Sequence, residues 1–458
     1  MSQKKSNLSR RKFITRSTAA TAAVAAGSLV TNADLENVSA QVNTNSSPSD
    51  LKITDIRVAS ARRAIIRIDT NQGIHGYGEG TGGKLALLLK NDLIGENPCN
   101  VEKLYKRILQ FGNHNRTGIS GIEMALWDIA GKAWDVPVWQ MLGGRYRDKI
   151  LMYADTPWSA DPVEMGNILK ARIQRGYKFL KMDMGISLLN GVEDTIAAPP
   201  GVSRSLWEGD QPGPLSGMRI TPKGLKILQE YSATIRDVVG WEIPIATDHF
   251  GHFMVEDCMK IAQALDPFNF AWYEDFVPFM YPKALKMISD CCKTPVLVGE
   301  TMFGAENHRK LFEERSIAMC HPDLIFCGGI LEAKKIGDLA EQYGIAMAIH
   351  MNNGPVAFFA SVHSMAATEN FMVMEYHSEE DKEYGDMVDG VPKPLVDDGY
   401  IQVPNSPGLG FELNEEACRK RHPDVPWFPP TPEWDNERRQ GRRFWSFSDP
   451  IKGSKVLS

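Results

Sequence analysis

The sequence has few cysteines, and none of them are spaced for a zinc site. Seven cysteines are scattered over 458 residues, no Cys-x-x-Cys motif occurs, and the first cysteine is Cys99. A lipid-anchored N-terminus is not expected, because no cysteine lies near it. An odd number leaves at least one thiol free or paired between chains in an exported protein, and most of these cysteines are expected to be buried.

The chain also lacks an excess of positive charge. It carries 51 Lys and Arg against 57 Asp and Glu, and six of the basic but two of the acidic residues lie before residue 41. The remaining 418 residues therefore carry a net charge of −10. This charge argues against nucleic acid or an anionic membrane as a partner. The length is sufficient for one large domain and a smaller one.

Residues 1–40 predict an export signal. Arg10 and Arg11 are followed by Phe13, an Ala/Thr/Val run and the small-residue site Val38-Ser39-Ala40. This order is typical of the twin-arginine route, which carries folded proteins to the periplasm. A disordered basic tail and a membrane helix are the alternatives, but the run is short and rich in Thr, Ser and Ala for a membrane span. No membrane segment is expected in the mature form.

The rest of the chain shows two different patterns of predicted secondary structure. Residues 51–145 read as two strands followed by helices, including GIEMALWDIAGKAW with apolar residues three and four apart, and predict an α+β module. Residues 146–395 alternate short β-rich runs with amphipathic helices. A polar residue ends or opens each of the last six runs, at spacings of 23 to 27 residues: Asp248, Glu274, Glu300, Asp323 (opening PDLIFCGG), His350 and Glu375.

A repeat of about 25 residues is the length of one βα unit, so the pattern predicts an eight-stranded (β/α) barrel. Parallel strands bring their carboxyl ends to one face, where polar side chains converge. A Gly- and Pro-rich insertion, predicted at about 186–240, interrupts this regular spacing.

The tail at 421–458 contains Trp434, Phe444 and Trp445, too many aromatic residues for a solvated tail. We expect it to pack on the barrel or on a neighbouring subunit.

The first three of these strand ends predict a metal site. Asp248, Glu274 and Glu300 are hard oxygen ligands without a cysteine among them, which suits Mg²⁺ better than zinc. Without a positive group between them, they would raise one another's pKa. Asp323 and His350 end consecutive strands, and a carboxylate that holds an imidazole increases its basicity. His350 is therefore the predicted general base.

These residues resemble the enolase superfamily, specifically the acid-sugar dehydratases of its mandelate racemase-like branch. The resemblance covers residues 51–415, and includes ALWDIAGKAWDVPVWQMLGG, the acidic series, PDLIFCGG, VMEYH and GYIQVPNSPGLGFEL. It implies a (β/α)7β barrel, a capping domain completed by a C-terminal return at 396–420, and a homo-oligomer. It further implies one Mg²⁺ per subunit that binds a substrate carboxylate, with Glu375 hydrogen-bonded to the enediolate oxygen.

Two positions depart from the family pattern. The family has Lys-x-Lys on the second barrel strand, where this chain has Lys181-Met182-Asp183. The missing second lysine makes two-base racemisation doubtful. Related dehydratases carry an acid histidine two positions after the first ligand, where this chain has Phe250. His249 or His252 is then the candidate acid, and both can instead be loop residues.

The resemblance predicts a Mg²⁺-dependent carbon–oxygen lyase that dehydrates a galactonate-type sugar acid to a 2-keto-3-deoxy acid. Lys181, Asp183 and Asn352 are predicted to contact the substrate, and Lys181 is the alternative base. An epimerase, racemase or cycloisomerase acting through the same enediolate is one alternative. A sugar-acid binding protein without turnover is the other.

Overall fold

The protein is described from a computed structural model, which covers residues 48, 50–111, 116–199, 217–248 and 250–432. The export signal, His249 and the aromatic residues of the tail beyond residue 432 lie outside these ranges. Within them, no helix is both long enough and apolar enough to cross a bilayer.

An antiparallel three-stranded sheet opens the N-terminal module, with strands β1 (Ile53–Ser60), β2 (Ala64–Thr70) and β3 (His75–Gly80). Four helices follow: α1 (Gly83–Leu93), α2 (Val101–Phe111), α3 (Ser120–Trp134) and α4 (Val138–Met141). Helix α3 packs directly on β3 because β3 is rich in glycine. A Cβ atom at Gly78 would lie 1.7 Å from the carbonyl oxygen of Gly121.

Eight parallel strands form the barrel, and the pairing of the first with the last closes it. The strands are β4 (Lys149–Ala154), β5 (Leu180–Asp183), β8 (Ile245–Asp248), β9 (Tyr273–Glu274), β10 (Val296–Val298), β11 (Met319–Cys320), β12 (Ala346–Ile349) and β13 (Phe371–Tyr376). The connecting helices are α5 (Pro162–Gln174), α6 (Pro222–Val239), α7 (Val255–Leu265), α8 (Pro282–Cys291), α9 (Ala305–Glu313), α10 (Leu324–Cys327), α11 (Ile330–Glu341) and α12 (Pro355–Ala366). The predicted (β/α)7β barrel with an α+β cap is confirmed.

The prediction that PDLIFCGG contains a strand was wrong. The sixth barrel strand is β11, which ends at Cys320, and LIFC is the short helix α10. Pro322 has no N–H to continue the sheet, and the Asp323 side chain accepts the N–H of Ile325 at 2.8 Å as the helix cap. The two glycines at 328 and 329 then take positive φ and end the helix. Asp323 therefore stands in the loop beyond its strand.

The insertion between the second and third barrel strands is shorter than predicted. Its described part contains one small antiparallel pair, β6 (Ile196–Ala197) with β7 (Arg219–Ile220). Helix α6 begins at Pro222 and packs beside α5. Its N-terminus is capped by the Thr221 hydroxyl, which accepts the N–H of Gly224 at 3.1 Å. Residues 222–239 are thus an ordinary barrel helix rather than part of the insertion.

The C-terminal segment returns to the N-terminal module. It contains β14 (Val388–Asp389), β15 (Tyr400–Gln402), β16 (Glu412–Leu413) and α13 (Glu415–Arg421). The buried Asp128 of α3 accepts the backbone N–H of Leu409 at 2.9 Å. The Trp139 indole donates to the carbonyl of Pro404 at 2.9 Å, and Phe428 packs on Tyr77. The two ends of the chain therefore share one interface.

Two buried carboxylates of the N-terminal module bind the N-termini of barrel helices. Glu123 accepts the N–H groups of Ile330 and Leu331 at 2.7 and 3.0 Å at the start of α11. Glu79 accepts those of Gly354 and Ala357 at 2.6 and 3.1 Å at the start of α12. Burial raises the pKa of Glu123 to about 8 and that of Glu79 to about 7. The unpaired N–H groups of helix N-termini favour such acceptors.

Acidification is expected to destabilise the fold through buried histidines. Burial lowers the pKa of His308 and of His363 to about 4, from an ordinary value of 6.5. As the pH falls from 6.5 to 4, the unfolded chain takes up these protons first, so stability present above pH 6.5 is lost in that window. His308→Gln should remove about 3 kcal/mol of this loss, measured as the free energy of urea unfolding at pH 4 to 7.

The double variant with His363→Gln should flatten the profile further, because the two rings lie on different helices. An unchanged pH profile in His308→Gln would mean that this buried ring does not titrate as described.

Candidate active site

The interior of the barrel is built in layers by the alternation of side chains along each strand. An apolar floor contains Phe179 stacked on Trp272, with ring centroids 4.9 Å apart. Two positions further along the same strands, the interior residues are Lys181 and Glu274. The predicted strand-end residues therefore lie directly above a dry layer, where charges interact strongly.

Lys181 occupies the centre of the acidic cluster. Its Nζ lies 2.9 Å from Asp248 Oδ2, 3.2 Å from Glu274 Oε2 and 3.1 Å from Glu375 Oε1. Burial alone would lower the pKa of Lys181, but these three carboxylates raise it well above its ordinary value. The positive group that the acids require is thus supplied in part by this lysine, which is held protonated.

Asp323 and His350 are brought together as a hydrogen-bonded pair. Asp323 Oδ2 lies 2.8 Å from Nδ1 of His350, and it also accepts the side-chain amide of Asn353 at 2.8 Å. On the other side of the ring, Nε2 lies 3.3 Å from Glu300 Oε2 and 3.7 Å from Glu375 Oε2. Asp323 binds Nδ1, so Nε2 is the nitrogen that faces the acidic cluster.

The protonation of His350 is set by its acidic neighbours. Burial would lower its pKa, but Glu375, Asp323 and Glu300 raise it to about 10. With this pKa the imidazole is protonated near pH 7, so this arrangement alone does not fit the predicted role of His350 as general base. A cation bound to Glu300 would lower this pKa, because it would offset one of the three anionic neighbours.

Two histidines at the site, one partly exposed and one fully buried, were missed by sequence reasoning. His377 follows Glu375 by two positions, its Nε2 lies 3.3 Å from Glu375 Oε1, and its Nδ1 lies 3.2 Å from Asp155 Oδ2. His321 is fully buried, with Nε2 3.4 Å from Glu274 Oε1. Alternation along VMEYH was a signal for His377. His321 directly follows β11, a strand that the sequence analysis placed later in the chain, in PDLIFCGG, so the orientation of His321 was not predicted.

The carboxylates at 248 and 274 fit a divalent cation. Glu274 Oε1 is buried and has no hydrogen-bond partner among the described residues. Burial and the charge of Asp248 raise the pKa of Glu274 well above its ordinary value, although Lys181 lowers it. Burial also lowers the pKa of His321 well below its ordinary value, so that ring is neutral and does not compensate the acid. An uncompensated oxygen among carboxylates is the donor type that Mg²⁺ prefers.

A second group of possible ligand atoms lies nearby. Atoms of His350, Glu375 and His377 all lie within 4.8 Å of one another. Burial would raise the pKa of Glu375, but Lys181, His350 and His377 hold it well below its ordinary value. A metal ion here would need two neutral imidazoles, whereas the neighbouring carboxylates raise the pKa of His350 to about 10 and that of His377 to about 9. We therefore interpret this group as an ionic hydrogen-bond network.

The other predicted residues are placed as follows. Asp183 ends β5 level with Asp248, and Asn352 accepts a hydrogen bond from Arg62 at 3.1 Å beside His377. His252 lies in the turn after β8, where its backbone N–H donates to the carbonyl of Phe250. Phe250 is fully buried against Phe276 and so does not face the barrel mouth.

Residues 164–417 match the family model described as enolase C-terminal domain-like. Residues 35–143 match the mandelate racemase/muconate lactonizing enzyme N-terminal domain. The chain belongs to the enolase superfamily. This membership confirms the resemblance inferred from the sequence motifs, with both the capping domain and the barrel represented.

Similar proteins of this superfamily carry dehydratase names. A D-xylonate dehydratase of Haloferax volcanii is 30% identical over 388 residues, which cover 80% of this chain and 88% of that protein. A D-galactonate dehydratase of Pectobacterium atrosepticum is 28% identical over 393 residues, with coverages of 82% and 94%. Dehydratases are hydro-lyases, so the predicted enzyme class is confirmed.

Comparison with solved structures supports the same superfamily. The crystal structure of a mandelate racemase/muconate lactonizing enzyme-like protein from Rubrobacter xylanophilus superimposes with a TM-score of 0.71 at 29% identity. The match covers 82% of this chain and 100% of that chain.

Proposed function

We propose that this protein is a Mg²⁺-dependent dehydratase that converts a sugar acid to its 2-keto-3-deoxy acid. The observation that carries the proposal is the Asp323–His350 pair, whose reactive nitrogen faces a cluster of buried carboxylates at the barrel mouth. Similarity to proteins named D-xylonate and D-galactonate dehydratases supports a five- or six-carbon aldonic acid as the substrate.

Asp248, Glu274 and Glu300 would hold the metal ion, as the uncompensated oxygen of Glu274 supports. Mg²⁺, when bound, offsets the charge of the substrate carboxylate and the charge that develops on it during proton removal. His350 takes the proton from the carbon next to the carboxylate, and Asp323 holds the ring in place. Loss of the hydroxyl from the next carbon, as water, gives an enol that tautomerises to the keto acid.

Epimerisation is less well supported. A two-base mechanism needs a second neutral base on the opposite face, and Lys181 is the alternative on the second strand. Its contacts with three carboxylates hold it protonated. A binding protein without turnover is also less well supported, because binding alone does not need an oriented imidazole base.

The test is turnover on a panel of aldonic and uronic acids that includes D-xylonate and D-galactonate. Formation of the keto acid is followed by proton NMR with Mg²⁺ and after exhaustive chelation. A substrate epimer without keto acid would support the epimerase, and binding without any product would support the binding protein.

We also propose that the protein acts in the periplasm, on the evidence of the twin-arginine pattern. Changing both Arg10 and Arg11 to lysine should block most export while leaving the activity of purified protein unchanged. Fractionation of cells with immunoblotting measures the export, and Lys4→Arg with Lys5→Arg is a matched control outside the motif. Normal export of the lysine variant would contradict the route.

A further inference from the structure

Dehydration needs a group that protonates the departing hydroxyl as well as a base. The two histidines considered from the sequence follow the third barrel strand. There, Phe250 is turned away into the core against Phe276, with ring centroids 4.7 Å apart. Among the described residues, the position at which the family resemblance predicts the acid is therefore occupied by an apolar ring.

A second Asp–His pair lies across Glu375 from the first. His377 contacts Asp155 through Nδ1 at 3.2 Å and Glu375 Oε1 through Nε2 at 3.3 Å. His350 approaches the other oxygen of the same carboxylate, Oε2, through its own Nε2 at 3.7 Å. Each imidazole is thus held by an aspartate on one nitrogen and directs the other nitrogen toward the same place.

The spacing of the two rings suits a pair of adjacent reacting atoms. Their centroids lie 6.3 Å apart, and catalytic groups act on atoms about 3–3.5 Å away. One ring can therefore reach the hydrogen on one carbon while the other reaches the oxygen on the next.

One side of His377 is open to a cavity of about 210 Å³, which Arg62, Asn352 and Ser378 also line. His350 and the proposed metal ligands do not line this cavity, so its bearing on the substrate is through His377 alone. Its side chain is 25% exposed, so solvent can return a proton after each turnover. Burial would lower its pKa, but Glu375 and Asp155 raise it to about 9, which keeps a proton available at neutral pH.

We propose that His377, positioned by Asp155, is the acid that protonates the leaving hydroxyl. The inference rests on the proposed dehydratase function. His350 removes the proton on the carbon next to the carboxylate, and the electron pair of that C–H bond becomes a C=C bond. When this C=C bond shifts toward the neighbouring carbon, the C–O bond on that carbon breaks and its electrons go to oxygen. Nε2–H of His377 gives its proton to that oxygen, so water leaves and neutral His377 is reprotonated by solvent.

The deciding experiment compares two leaving groups. The substrate is the sugar acid with the highest turnover in the panel, beside its 3-deoxy-3-fluoro analogue, because fluoride departs without a proton. His377→Asn should lower dehydration on the order of 10²–10⁴-fold, while fluoride release stays within about tenfold of the wild type. Exchange of the α-hydrogen with solvent deuterium should remain measurable. Asp155→Asn should lower dehydration less, and in the same direction.

His75→Asn is the matched control, since that ring lies beside Glu412 in the capping domain. If His377→Asn loses dehydration, fluoride release and exchange equally, its role is structural and the proposal fails. If it dehydrates at the wild-type rate, the acid lies elsewhere, and His249→Asn and His252→Asn become the variants to test. A wild type that dehydrates no sugar acid overturns the proposed function itself, which is a different result from either.

Discussion

Replacing His350 with asparagine is expected to lower turnover on the order of 10²–10⁴-fold, the usual worth of a positioned acid–base group. Asparagine retains a polar side chain of similar reach but has no nitrogen that can accept a proton. Exchange of the substrate's α-hydrogen with solvent deuterium should be abolished in the same variant. Turnover and exchange are measured together by proton NMR in deuterium oxide.

Binding of the substrate should largely survive in His350→Asn, because the proposed carboxylate contacts are made elsewhere. Asp323→Asn is the companion variant. It keeps the shape beside Nδ1 but removes the charge, so its turnover should fall less than that of His350→Asn. Persistent exchange in His350→Asn would show that another base acts, with Lys181 the first to test, and would reopen the epimerase alternative.

Glu274→Gln is expected to change stability in opposite directions with and without Mg²⁺. The buried carboxylate has an uncompensated oxygen, so the neutral amide should stabilise the metal-free protein. The variant should also bind Mg²⁺ at least 10–100-fold more weakly, the range seen when even an outer partner of a metal ligand is lost. Melting temperatures with and without Mg²⁺ measure both effects, since ligand binding raises the stability of the folded state.

Glu230→Gln is the matched control, because Glu230 lies on the exposed face of α6 with its side chain 64% exposed. It should change neither melting temperature nor Mg²⁺ binding. Turnover of Glu274→Gln should fall with the loss of metal. Full activity of the wild type after exhaustive chelation would show that the carboxylates do not serve a metal at all.

Much of the fold follows from the sequence because a barrel repeats one unit. The regular spacing of the polar residues from Asp248 to Glu375 corresponds to the length of one strand, one helix and two loops. Each of these units folds under the same constraints. The error at PDLIFCGG arose because apolar periodicity cannot distinguish a short buried strand from a short buried helix. The cap formed by Asp323 decides between them, and it depends on Pro322 before it.

The site was predicted less completely, because charges act across the barrel rather than along the chain. Lys181 contacts Asp248, Glu274 and Glu375 at the same time. These contacts depend on which strands are neighbours and on how far each strand extends along the barrel axis. The pairing of His377 with Asp155 joins the last strand to the first, and only closure of the barrel brings them together. Sequence spacing supplies candidates for such a site, and the contacts assign their partners.

The shared interface of the two chain ends has a consequence during synthesis. Asp128 is buried against Leu409, which leaves the ribosome after nearly the whole barrel has been made. Until then, the surface of α3 that receives the returning segment is open, and among the described residues Asp128 is bound only by the Tyr77 N–H and Lys132 of its own module. The N-terminal module therefore completes its structure only when the chain is almost finished. Any truncation before residue 409 is therefore expected to leave this interface incomplete.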